Sequence, residues 1–72
     1  MAQNKFNPIP NRELKGKIVA LVKKLQRTNI PEIAHELYIT VGEAKAYTAM
    51  AISEKLIKYD RETKEVYYDF SN

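Results

Sequence analysis

The sequence predicts a mainly α-helical domain of three helices closed by a small two-stranded β-hairpin, and three observations predict it. Leu14, Ile18, Leu21, Val22 and Leu25 recur at helical spacing and make one apolar stripe. Thr40-Val41-Gly42-Glu43 has the Ser/Thr-x-x-Glu/Gln spacing with which a helix N-terminus caps itself. After Leu56 the period changes from helical to alternating, with Ile57 and Tyr59 in one short run and Val66, Tyr68 and Phe70 in another.

Taken in order, residues 1–10 are polar apart from Phe6 and Ile9, contain Pro8 and Pro10, and read as a flexible N-terminal arm. Lys5 gives that arm one cation to set against DNA or a partner. Residues 11–72 read as one domain. Asn11 can cap a first helix running to about Thr28, with Glu13 favourable in its first turn. Gly16 weakens this helix by up to ~1 kcal/mol relative to Ala. Lys17, Lys23, Lys24 and Arg27 line its outer side as a solvated face or as phosphate contacts. Thr28-Asn29 stops it, and Ile30 is placed to pair briefly with the later hairpin.

Pro31 to Leu37 is a short helix with Pro31 in its first turn, where a missing N–H costs nothing. Tyr38-Ile39 is a tight turn. The next helix begins at Val41 and runs to about Lys55, with Ala44, Tyr47, Thr48 and Ala51 on its inner side. Small Ala34 and Ala44 let the two axes cross closely, as a helix-turn-helix requires. Asp60-Arg61-Glu62-Thr63-Lys64 is a polar turn of hairpin length. The expected core is Leu14, Ile18, Leu21, Leu25, Ile33, Leu37, Ile39, Ala44, Ala51, Leu56 and Val66.

The run Glu32-Ile33-Ala34, Leu37, Ile39-Thr40, Glu43-Ala44-Lys45-Ala46-Tyr47, Leu56-Ile57 and the hairpin after it resembles a winged helix-turn-helix domain. Within that superfamily it is most similar to the small fimbrial-operon regulators of the PapI/FaeA type. Their Thr-x-x-Gln-Ala-Arg-x-Tyr pattern is met here by Thr40, Glu43, Ala44, Lys45 and Tyr47. The resemblance spans roughly residues 12 to 70. It departs from the pattern at Glu43 in place of Gln, at Thr48 in place of a large aliphatic residue, and at Lys55 where a Gly often ends the helix. It implies three helices plus a two-stranded wing, and sequence-specific binding of double-stranded DNA by a transcriptional regulator. The helix 41–55 would enter the major groove and the wing 57–70 would lie near the backbone.

Composition is compatible with that reading and narrows the rest. Seventy-two residues make a single small domain, with a core near the lower limit for independent folding. A net charge of +3 and a pI near 9.2 lean towards an anionic partner. With no cysteine there are no disulfides and no thiolate metal sites, which fits a cytoplasmic protein. No stretch has the length of a membrane span or the apolar region of a signal peptide. His35, the one histidine, points away from Ile33, Ala34 and Leu37 and has no companion ligands at metal-binding spacing. Nucleophile triads, Gly-rich phosphate loops and set-apart carboxylate pairs are also missing, so neither enzymatic activity nor a cofactor is expected.

The expected DNA-binding residues are Thr40, Gly42, Glu43, Lys45, Ala46 and Ala49 on the second motif helix, with Arg61 and Lys64 on the wing. The helix face offers methyl groups to thymine and one basic side chain. The same smooth face of Gly42, Ala46, Ala49 and Ser53, with Met50 beside it, suits a second function, docking a partner protein. Partners on these two readings are double-stranded DNA, a second copy of the chain, or another regulator protein. Five tyrosines also raise stacking on single-stranded nucleic acid, with Tyr67 the best exposed candidate and Tyr47, Tyr59 and Tyr68 assigned to core or rim.

Overall fold

The computed structural model describes residues 11–70, with side chains from Glu13 onward. The expected arm of residues 1–10, with Lys5, Phe6 and Ile9, lies outside the described residues. Three helices, α1 (Asn11–Leu25), α2 (Ile30–Leu37) and α3 (Val41–Ser53), pack with three short strands, β1 (Arg27–Thr28), β2 (Lys58–Asp60) and β3 (Glu65–Tyr67). The strands form one antiparallel sheet in the order β1-β3-β2.

The first helix is shorter than its apolar stripe suggests. It ends at Leu25, and Gln26 turns the chain through a left-handed conformation, φ 70°. The chain then enters β1, not Ile30, as the third strand: Arg27 lies opposite Tyr67 and Thr28 opposite Val66. The expected two-stranded hairpin is therefore a three-stranded sheet. Its third member is recruited by contacts distant in sequence. Arg27 reaches Asp60 at 3.3 Å and Glu65 at 2.9 Å and sits 4.8 Å over the Tyr67 ring, tying all three strands together on one face. On the other face Thr28 is buried, and its hydroxyl donates to the Glu32 carboxylate.

Each motif helix is fixed at both ends by its own sequence. The Asn29 side chain accepts from the Glu32 N–H at 2.9 Å, so Ile30, with Pro31 beside it, opens α2. Tyr38 takes the left-handed conformation at φ 57°, and the Ile39 N–H bonds back to the Ala34 carbonyl at 3.0 Å. The capping box at Thr40 and Glu43 forms as expected and starts α3 at Val41. That helix stops at Ser53, two residues before the expected Lys55. Lys55 itself adopts φ 65° and the Leu56 N–H bonds to the Ala51 carbonyl, a stop more often made by glycine.

The core is Leu14, Ile18, Val22, Ile33, Ala34, Ala44, Ala51, Ile57 and Val66, with Thr48 buried among them. Ala44, Thr48 and Ala51 are the inner side of α3, as the helical spacing predicts, and Tyr47 is partly buried beside them. Two expected core members are corrected. Leu25 sits in the last turn of α1, where the stripe has already left the core, and is 37% exposed. Leu56 is 41% exposed because the left-handed Lys55 rotates the chain, so that Ile57, 2% exposed, enters the core in its place. Leu21, Leu37 and Ile39 are half-buried at its edge. In the hairpin, the alternating row was expected to continue inward through Phe70. The strand ends at Tyr67 instead, and Phe70 is exposed with its ring edge-on to Tyr68 at 4.5 Å.

Candidate functional site

All eight residues expected to contact DNA are exposed, and the structure divides them into three groups. The first is the N-terminus of α3. The Glu43 N–H donates to Thr40 Oγ1 at 3.0 Å, and Glu43 Oε1 accepts from the Thr40 N–H at 3.0 Å and from its hydroxyl at 3.2 Å. Both side chains are thereby committed to the cap. The Glu43 carboxylate is turned onto the Thr40 N–H and hydroxyl, which offsets its charge where an anionic partner would approach. A Cβ added at Gly42 would meet only Thr40 Oγ1, at 3.9 Å. Gly42 is therefore not required by packing, and its smoothness is a property of the outer face.

The second group is Lys45, Ala46 and Ala49, one turn further along. Lys45 and Ala49 border an apolar groove of about 460 Å³ between α3, the start of α2 and the sheet. Ile30, Pro31, Val41, Ile52 and Tyr59 supply its walls, and Lys45 is the one charged side chain among its lining residues. The Oγ1 atom of Thr48, beneath the same groove, is buried and has no hydrogen-bond partner among the described residues.

The third group is the hairpin turn, and here the two expected residues separate. Arg61 borders a second cleft with Lys55, Lys58, Tyr67, Ile57 and the same Ile52 and Tyr59. Lys64 lines neither cavity. It occupies the left-handed position of the turn, φ 61°, with its N–H on the Asp60 carbonyl at 2.7 Å. The turn is built on Asp60, whose Oδ1 accepts from the Glu62 and Thr63 N–H groups. Those backbone bonds, Thr63 first, hold the Asp60 carboxyl below its ordinary range, with Arg27 adding to the effect.

Charge counting from sequence overstated some cations and missed others. Arg27 is raised in pKa chiefly by its bond to Glu65, and its charge is spent inside the sheet. Lys15 is paired with Glu54 at 2.6 Å and Lys58 with Asp69 at 2.9 Å, the latter raising the Lys58 pKa. Lys23 lies 5.0 Å over the Tyr68 ring. Lys55 and Arg61 have no carboxylate partner among the described residues, and Lys55, Lys58 and Tyr59 were missed as site residues. A signal was present in the spacing of Lys55, Lys58 and Arg61, every third residue through a segment that changes from helix end to strand.

No group of three or more side chains that could hold a metal ion occurs among the described residues, and no helix there is long and apolar enough to cross a membrane. Compared with protein-family models, curated proteins and solved structures, the chain matches none.

Proposed function

We propose that this domain is a winged helix-turn-helix that binds double-stranded DNA as a transcriptional regulator inside the cell, as the PapI/FaeA-type regulators do. In this reading α3 enters the major groove and the β2–β3 hairpin is the wing. The observation that carries it is the junction between the α3 groove and the hairpin cleft. Both cavities are bordered by Ile52 and Tyr59, so Lys45 on the helix and Arg61 on the hairpin flank one continuous surface. A capped helix with a smooth outer face of Gly42, Ala46 and Ala49 can approach base edges closely, and cations on either side meet phosphate. The charge of +3 favours the encounter.

Titration of fluorescent duplex DNA at two salt concentrations tests the proposal. With three to five phosphate contacts, log affinity falls against log salt with a slope of about −3 to −4.5. Binding that is absent at low salt, or unchanged by salt, contradicts it.

A second reading is favoured by the apolar groove itself. Val41 and Met50 are 55% and 44% exposed on α3, and the Gly42, Ala46, Ala49 and Ser53 face beside them lets a partner helix come close. On that reading the same helix docks a second copy of the chain or another regulator protein.

A further inference from the structure

Tyr59 is a ridge between two cavities of opposite character. On one side is the apolar groove walled by Ile30, Pro31, Val41 and Ala49. On the other is the cleft of about 630 Å³ that carries Lys55, Lys58 and Arg61 and has no carboxylate among its lining residues. The ring is 41% exposed although it stands in the same row of the sheet as buried Val66. We infer that this ridge seats an unpaired nucleotide of a single nucleic-acid strand, with the base in the apolar groove against Tyr59 and the flanking phosphates in the cationic cleft.

The chemistry of each half selects the corresponding half of a nucleotide. A base is flat and apolar on its faces, and it gains by leaving water for an aliphatic groove with an aromatic wall. A phosphate seeks several cations at once, and Lys55, Lys58 and Arg61 border one cleft. The groove exceeds the volume needed for a small ligand, about 300 Å³. A duplex presents its phosphates without an exposed base face, whereas a strand with unstacked bases meets both halves. Lys58 shares its charge with Asp69, so the seat gains when that pair is loosened. The inference shares the Ile52–Tyr59 junction with the duplex reading, and the comparison of an intact with an abasic strand tests it whether or not duplex binds.

The test is fluorescence anisotropy on the full chain at low salt, with an oligothymidylate of about twelve nucleotides, an abasic strand of equal length and a duplex. The oligothymidylate should bind about tenfold more tightly than the abasic strand. Tyr59→Ala should erase that preference while Tyr59→Phe keeps it. Lys55→Ala should reduce the salt slope for the single strand by about 0.7. Asp69→Asn should tighten the strand more than Glu62→Gln, an equal charge change at a carboxylate that is not the one bonded to Lys58. If circular dichroism shows Tyr59→Ala unfolded, the abasic comparison decides alone. Absence of oligothymidylate binding, equal affinity for the abasic strand, or a folded Tyr59→Ala that keeps the preference overturns the inference.

Discussion

Thr40 and Glu43 satisfy each other's backbone: each side chain accepts from the other's N–H at 3.0 Å. Two donors that would otherwise be left open at the start of α3 are closed without help from any other element. Thr40→Ala removes one half of this exchange and should lower stability by about 1 kcal/mol. A thermal melt that superimposes on the parent's would show that the cap contributes nothing.

The buried Thr48 hydroxyl is a cost the fold carries. Thr48 is 1% exposed and Oγ1 has no hydrogen-bond partner among the described residues, so Thr48→Val removes an unmet polar group while keeping the shape. Stability should rise by about 1 kcal/mol. A fall of that size in chemical denaturation would mean that the hydroxyl is bonded.

Leu56 and Ile57 should behave in opposite ways. Ile57→Ala opens a cavity in the core and should cost about 2–5 kcal/mol. Leu56→Ala truncates a side chain that is already 41% exposed, and should cost less than about 1 kcal/mol. Equal losses in urea unfolding would contradict the register set by Lys55.

Acid should weaken the hairpin through Asp60. Its folded-state pKa lies below the unfolded value, chiefly because Thr63 and Glu62 donate backbone bonds to the carboxylate. The stabilisation is therefore complete above the unfolded carboxylate pKa of about 4, and is lost as pH falls through the lower folded value. Asp60→Ala should be less stable at neutral pH and should show a shallower loss below about pH 4. An acid limb identical to the parent's would remove Asp60 from the account.

What the sequence made legible were features closed within a few residues. The Thr40–Glu43 cap, the Tyr38 turn, Pro31 in a first turn and the inner side of α3 at Ala44, Thr48 and Ala51 depend on spacing alone. The strand at Arg27–Thr28 depends on partners more than thirty residues away, Asp60 and Glu65, and helical periodicity carried the first helix straight through it. The Leu56–Ile57 exchange depends on one left-handed residue, Lys55, which has no glycine to mark it. At the site, exposure of Lys45, Ala46 and Ala49 followed from the helical wheel. The cleft of Lys55, Lys58 and Arg61 did not, because it exists only where the end of α3 meets the edge of β2.

Substitutions at Ala49 test the central proposal, that α3 enters a DNA groove, most directly. Ala49 is exposed, so Ala49→Asp and Ala49→Lys should each change stability by no more than about 0.5 kcal/mol. In a groove, a carboxylate faces phosphates and base acceptors, whereas an ammonium finds another phosphate. Duplex affinity measured by anisotropy should be lost in Ala49→Asp and kept or raised in Ala49→Lys. Duplex affinity untouched by both, with a protein complex broken by both, would contradict the account and assign this face to a partner protein.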